Sequence, residues 1–385
     1  MDIDYLAEAH RLSGELSALR REFHREPELG NHEFKTAARI EHYLQELGIS
    51  AERILETAVV GRLKGTLPGP FIALRADMDA LPLQEATGVE FVSQTPGVMH
   101  ACGHDVHITA LLGAARILTA HRKELAGTIL FLFQPDEEGN GGARRMIEGG
   151  VLEGVSAVFG AHVTPEFPAG HIGVRYGKFY AASDTFQITV TGKSAHGAER
   201  EKGIDALAAA SKIVEELLEL QYHSSEKSVV TVGTFHAGTA GNIVADRSEL
   251  TGIIRTLGPE ARRQLRERVL DTVRSVAGKF GTQAQCELHE SYPGVVNEDS
   301  MTQLVEETAR SVLGAKHVHR IEEPLMMTED FGYFLQERPG AFYHIGAGCS
   351  LPLHNPGFLP DEEAVVTAAA VHAAVAVRGI SAFAR

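Results

Sequence analysis

The chain has 385 residues, 44% hydrophobic and 23% charged, which are ordinary globular proportions at a length for which two cores are expected. With 51 acidic against 36 basic residues its formal net charge is -15, so polyanions are repelled and nucleic acid and anionic membranes are excluded as partners, leaving small molecules. Cys102, Cys286 and Cys349 are odd in number and far apart, Met1 to Tyr5 lacks the basic and apolar regions of a signal peptide, and no apolar run of membrane-spanning length is read; a reducing cytoplasm is expected.

Apolar residues recur at helical spacing over 5–24 and again over 34–47, where Gly48 stops the second helix. Runs at 59–67, 71–76, 128–133 and 155–160 are nearly continuous in apolar residues and read as buried strands, with a buried helix from Asp105 onward (109–118) and a short one over 143–148 between them. Near Ala182 the pattern changes. Strands over 185–191, 228–235, 249–256 and 283–289 and helices over 205–220 and 259–280 give the order strand-helix-strand-strand-helix-strand, the ferredoxin-like arrangement. A helix over 299–313, a strand over 341–345 and a helix over 361–376 then resume the first pattern. The fold class is α/β: a mixed-sheet catalytic sandwich formed by 1–181 and 293–385, with an inserted α+β domain over 182–292.

The densest chemistry lies in Met99-His100-Ala101-Cys102-Gly103-His104-Asp105-Val106-His107, one thiol, three imidazoles and a carboxylate in nine residues. Around Gly103 a turning backbone lets Cys102 and His104 converge, which reads as half of a metal site. A thiol nucleophile with an imidazole base, and a structural role, are the alternatives. No C-x-x-C pair completes the site locally, so the other ligands are expected from distant segments.

Acid and imidazole residues stand at the carboxyl ends of the predicted strands: Asp77 and Asp79, Glu137 and Glu138, His162, and His354 after the last strand. In open α/β sheets that edge is where ligands bind. The adjacent acids Glu137 and Glu138 allow a division of labour, one carboxylate for a cation and one to take a proton from water. Gly192-Lys193-Ser194 is no phosphate loop, because Gln187 stands where that loop needs glycine.

Arg75-Ala76-Asp77-Met78-Asp79-Ala80-Leu81-Pro82, the stretch from Met99 to His107, Gln134-Pro135-Asp136-Glu137-Glu138-Gly139, Ser194-Ala195-His196-Gly197-Ala198, Thr328-Glu329-Asp330-Phe331 and Leu353-His354-Asn355-Pro356-Gly357-Phe358 follow one another along the chain. In that order they resemble the motifs of the aminoacylase, hippurate hydrolase and auxin-conjugate hydrolase family of metallopeptidases (clan MH), over residues 24–361. The resemblance implies hydrolysis of the amide of an N-acyl amino acid, acetyl, benzoyl or similar, to a carboxylic acid and a free amino acid. It implies two divalent cations per subunit, manganese or zinc, with cobalt or nickel as alternatives, held by Cys102 as a bridging thiolate and by His104, Glu138, His162 and His354. Glu137 resembles the general base and later proton donor. His196 resembles the group that supports the oxyanion and binds substrate, in its own site or a partner subunit's, and Asn242 and Arg255 resemble substrate-holding groups of a lid domain. An arginine fork suits a carboxylate, although Arg255 on a strand equally fits a salt-bridged surface position. Asp77 and Asp79 resemble residues that orient the ligands. A homodimer, or a dimer of dimers, through the lid is implied.

Two departures bear on the site. Asp136 stands where the family usually has Ala; facing the site, it would raise the pKa of Glu137 by like-charge repulsion. Asn242-Ile243-Val244-Ala245-Asp246 lacks the usual proline. The rival readings are an N-acetyl-diaminopimelate deacetylase or small-peptide carboxypeptidase of the same family, a thiol hydrolase using Cys102, and a non-catalytic acyl-amino-acid binding protein. The Glu137-Glu138 doublet speaks against the last, since binding alone needs no spare base.

Overall fold

The structure, a computed structural model, describes residues 3–384; Met1 and Asp2 of the acidic start lie outside them. Two compact units divide the chain. The first takes the residues up to Gly177, Val296–Glu322 and the residues from Asp330 onward; the second takes Lys178–Val295 and Glu323–Glu329. That last stretch, expected in the first unit, joins the second because the Ala181 N–H donates to the carbonyls of Leu325 and Met327, and Leu325 donates back to Phe179.

In the first unit eight strands form one mixed sheet, in the order Ser50–Ile54, Ala58–Lys64, Ala126–Gln134, Leu67–Asp77, Val155–Thr164, Gly340–Gly346, Ile172–Val174 and Val318–Arg320. The third to the sixth of these run parallel, so their carboxyl ends share one edge. They are apolar along most of their length because helices pack on the sheet. His104–Ala120 and Glu363–Phe383 pack on each other and on Leu67–Asp77. Phe131, Phe133, Phe159 and Phe342 are fully buried in these strands. Each contributes on the order of 1.5–3 kcal/mol of transfer free energy.

Several elements differ from the expected ones. Where spacing predicts one helix over 5–24, the chain forms Tyr5–Arg11 and Ser13–Arg25, divided at Leu12, whose N–H bonds the carbonyl of Ala9 in a tightened last turn. The poor helix formers Ser13 and Gly14 follow the break. The buried helix read from Asp105 onward begins at His104 and runs to Ala120. The strand carrying His162 continues beyond Gly160 to Thr164. The last helix, Glu363–Phe383, has 21 residues and is long and apolar enough to cross a membrane, contrary to expectation, but its apolar window is 89% buried in the fold. It is a core helix.

The second unit has a four-stranded antiparallel sheet in the order Ser228–Ala237, Arg247–Thr256, Ala182–Thr191 and Gln283–Glu290. Counted along the chain this is 2-3-1-4, the ferredoxin-like order. Its helices Ala206–Glu219 and Pro259–Phe280 bury Ile213, Leu217, Leu265, Val269 and Val273 with Phe186, Ile188, Val190, Leu250 and Ile254 of the sheet. The heptad-like spacing of Leu265, Val269, Val273 and Val276 gives the longer helix its buried stripe.

Candidate metal centre

Parallel strands deliver the site. Leu67–Asp77 ends on Asp77 with Asp79 just beyond, Ala126–Gln134 leads into Glu137 and Glu138, Val155–Thr164 carries His162, and the loop after Gly340–Gly346 carries His354. The fifth segment is the turn through Cys102 into the helix that starts at His104. Gly103 caps that helix at φ 83°, and a Cβ there would meet Val163 Cγ2 at 2.5 Å, so both backbone and packing demand glycine. His354 itself is left-handed at φ 62°, an uncommon conformation for a side-chain-bearing residue, held by a bond from its N–H to the Ala101 carbonyl.

Cys102 joins two donor sets. Its Sγ lies 3.3 Å from His162 Nε2 and 3.3 Å from His354 Nε2, while His354 Nε2 lies 3.1 Å from Glu138 Oε1. Ligand atoms of Cys102, His104 and His162, those of Cys102, Glu138 and His354, and those of His104, Glu137 and Glu138 each fall within 4.8 Å of one another. The six residues named as ligands or base are therefore brought together. Cys102, His104, Glu137 and His162 are buried, and His354 is exposed.

Hydrogen bonds fix the imidazoles for coordination. His104 Nδ1 donates to the Asp79 main-chain oxygen over 2.9 Å, and His162 Nδ1 donates to the Val163 oxygen over 2.6 Å. Each ring is thereby set to present Nε2 as the ligating nitrogen. His104 Nε2 is buried with no hydrogen-bond partner, and Asp77 Oδ2, at 3.7 Å, is beyond reach. An orphaned nitrogen beside a thiol, imidazoles and carboxylates is the donor set a divalent transition-metal ion takes. Asp79 also accepts the Glu138 N–H through Oδ2 at 2.9 Å, so one residue orients two neighbours.

The electrostatics favour cations. Burial, then Glu138 and Glu137, push the Cys102 thiol well above its ordinary value, so without a cation it keeps its proton. A thiol nucleophile needs the opposite shift, which counts against the thiol-hydrolase reading. Burial presses His104 down, but Asp77, Asp79 and Glu138 outweigh it and raise the group to about 10. Burial and the neighbouring His107 hold His162 well below its ordinary value, which keeps its lone pair free.

Other residues, several of them inside the quoted motifs, serve the site although the sequence reading gave them no role. His107 sits one helical turn after His104. Its Nδ1 pairs with Asp77 Oδ1 and its Nε2 accepts the Val163 N–H over 2.9 Å, so neither nitrogen is left for a metal. Arg75, an isolated cation in an apolar strand, is wholly buried and spans Gln134 Oε1 at 2.8 Å, Asp77 Oδ2 at 2.7 Å and Asp330 Oδ1 at 2.9 Å. Asp330 also accepts from Gln134 Nε2 and the Ala143 N–H, which frames the turn bearing Glu137. Arg20 joins Asp105 Oδ2 at 3.0 Å to the Pro360 carbonyl at 2.7 Å, and His24 joins Asp105 at 2.9 Å to Glu85 at 3.1 Å. Asp136 is buried and has a cation for a partner. At φ 57° it pairs with Arg145 at 3.0 Å and accepts the Asn140 N–H, and the absence of a side chain at Gly139 makes room for its carboxylate.

In the second unit His196 lies in a two-stranded ribbon, Ala195–His196 with Ile243–Val244, and Asn242 adjoins it. His196 pairs with Ile243, and the Gly197 N–H donates to the Asn242 carbonyl over 2.7 Å. Register, rather than proline, holds this loop. Both side chains are exposed. Arg255 is half-buried on Arg247–Thr256; one guanidinium nitrogen donates to the Met326 carbonyl at 2.5 Å, and its Nε is buried without a partner. It makes no surface salt bridge among the described residues.

The sequence pattern of Peptidase family M20/M25/M40 matches residues 73–378. N-acetylcysteine deacetylase of Bacillus subtilis (strain 168) is 38% identical over 364 residues, covering 93% of this chain and 95% of that protein. Thermostable carboxypeptidase 2 of Saccharolobus solfataricus is 38% identical over 375 residues, 94% of each chain. The solved structure of the Bacillus subtilis YXEP protein, a dinuclear metal binding peptidase of the M20 family, matches with a TM-score of 0.87 at 35% identity, over 97% of this chain and 99% of that one. The chain is a member of peptidase family M20/M25/M40.

Proposed function

We propose that this chain is a metallo-amidohydrolase that cleaves N-acyl amino acids to a carboxylic acid and a free amino acid. The observation that carries this reading is the placement of Cys102 in two donor sets at once, with the carboxylates of Glu137 and Glu138 beside His104. Cys102, His104, Glu138, His162 and His354 would hold two divalent cations, manganese or zinc, with cobalt or nickel as substitutes. Bound there, such ions supply Lewis-acid polarisation of a water and of the acyl carbonyl.

The protein groups do the rest. Glu137 takes a proton from the attacking water and returns it to the leaving amine, so that no net proton is consumed at the carboxylate. His196, in its own subunit or a partner's, donates to the oxygen of the tetrahedral intermediate. Asn242 and Arg255 hold the substrate carboxylate, and the unpartnered Arg255 Nε supports that assignment. We assign residues 182–292 the role of a lid that also dimerises; Ser228–Ala237 has one strand edge without a partner among the described residues and exposes Phe235. The three free cysteines support a cytoplasmic site.

A second reading, a carboxypeptidase on small peptides, is favoured by the Saccharolobus relative. Both reactions cut an amide beside a carboxylate-bearing residue. Released amine, measured over a panel of N-acetyl and N-benzoyl amino acids, N-acetyl-diaminopimelate and dipeptides with defined metals, separates them. Turnover of peptides alone overturns the first reading. Light scattering tests the dimer.

A further inference from the structure

A second group of imidazoles lies on the far edge of the first unit's sheet. His171 precedes Ile172–Val174; His317 closes the 3-10 turn Ala315–His317 and His319 lies on the edge strand Val318–Arg320 that follows, which pairs in parallel with Ile172–Val174. His317 Nδ1 lies 3.2 Å from His171 Nε2, and His171 Nδ1 lies 2.7 Å from His319 Nε2. The His319 ring is nearly parallel to His171 on one side and to Phe167 on the other, with centroids 5.0 Å away in each case. All three histidines are half-buried. Two strands, Gly340–Gly346 and Ile172–Val174, separate Val318–Arg320 from the strand bearing His162, so His317 and His319 stand roughly 14 Å across the sheet from that strand.

We propose that His171 and His317 form a separate binding site for a borderline transition-metal ion such as zinc, nickel or copper, with His319 as the group that orients His171. Two imidazole nitrogens on one such ion, each about 2.0–2.1 Å from it, lie roughly 2.9–3.4 Å from each other. The 3.2 Å pair meets that spacing as it stands. The 2.7 Å pair is too close for a shared ion and has the length of a hydrogen bond. It is the arrangement in which a ligating histidine donates its other N–H to an acceptor that fixes its ring.

His171 Nδ1–H therefore donates to His319 Nε2, leaving His171 Nε2 as a lone pair. With neutral rings, the hydrogen on His317 Nδ1 only has to move to Nε2 for the ion to enter, and no net proton is released. Burial, then the nearby His317, His319 and Lys316, hold His171 below its ordinary value, so its lone pair is available at neutral pH. Lys316 opposes any cation. Neutral nitrogen donors beside a positive charge select ions that prefer imidazole over calcium or magnesium, which need carboxylates.

Equilibrium dialysis of the full chain against zinc, with the metal counted by mass spectrometry, tests this. Wild type is expected to carry one more zinc ion per chain than His171→Asn/His317→Ala and than His317→Ala alone, whose half-exposed ring lies outside the core. His319→Phe, which keeps the stacking on Phe167 but cannot accept a hydrogen bond, should weaken retention of that ion about 10-fold or more. Equal zinc counts in wild type and both deletion variants overturn the proposal, and so does a His319→Phe protein that holds the ion as tightly as wild type.

Discussion

Arg20 Nε donates to Asp105 Oδ2 over 3.0 Å although 85 residues separate them, and both side chains are sealed from solvent. Through the Pro360 carbonyl the same guanidinium reaches the chain beyond His354, so one cation ties the helix carrying His104 to the loop carrying His354. Arg20→Met leaves Asp105 buried with only His24 for a partner. Removing one member of a buried pair costs about 3–5 kcal/mol, read by denaturant unfolding. Arg20→Met/Asp105→Asn should recover much of the loss. A single variant as stable as wild type would show that the pair is not structural.

Glu137→Gln keeps the shape of the side chain and removes the base. Turnover should fall about 10²–10⁴-fold while metal content, measured by mass spectrometry, stays at the wild-type level. Loss of metal together with activity would instead move Glu137 into the ligand set.

Dialysis against a chelator should abolish hydrolysis, and manganese or zinc should restore it. Because the ions bind only the folded chain, the metal-free protein should also melt earlier; an ion at 100 times its dissociation constant contributes about 2.7 kcal/mol. Iodoacetamide added to the metal-loaded protein should leave turnover unchanged. Inactivation by the alkylating agent, with resistance to the chelator, would transfer the chemistry to Cys102.

Burial presses His24 down, but Asp105 and Glu85 outweigh it and raise the group to about 9, against 6.5 in an unfolded chain. A raised histidine binds its proton more tightly when folded. Its contribution is therefore fully present below pH 6.5 and is lost as pH rises through 9. The stability difference between wild type and His24→Gln should shrink by about 3 kcal/mol across that window. Parallel stability-pH curves for the two proteins would rule the contribution out.

Much of this was legible in the residues. Continuous apolar runs marked three of the four parallel strands, while the run over 59–67 became the antiparallel Ala58–Lys64, and the change of pattern at Ala182 marked the ferredoxin-like insertion. The chemistry-bearing residues at strand ends could be assembled by topology alone, since parallel strands share a carboxyl edge. What escaped was decided by partners far along the chain. Asp105 and His107, polar residues in the first turn of the helix His104–Ala120, are buried against Arg20, His24 and Asp77. No local spacing encodes those pairings. Ile172–Val174 and Val318–Arg320 are too short to show alternation, and they became strands only by pairing with each other and with Gly340–Gly346. Arg75 did leave a signal, a lone charge inside an apolar run, that could have been followed to an acidic partner.

The donors gathered around Cys102 enter the chain in two instalments, with the whole second unit between His162 and His354. On the ribosome this donor set is incomplete until His354 is added, and the helix Glu363–Phe383, which packs on His104–Ala120 and the central sheet, follows it. With the proposed ligands, cation loading therefore waits for His354. Nascent or truncated chains ending before His354 lack one of the proposed ligands, however well their early strands have paired.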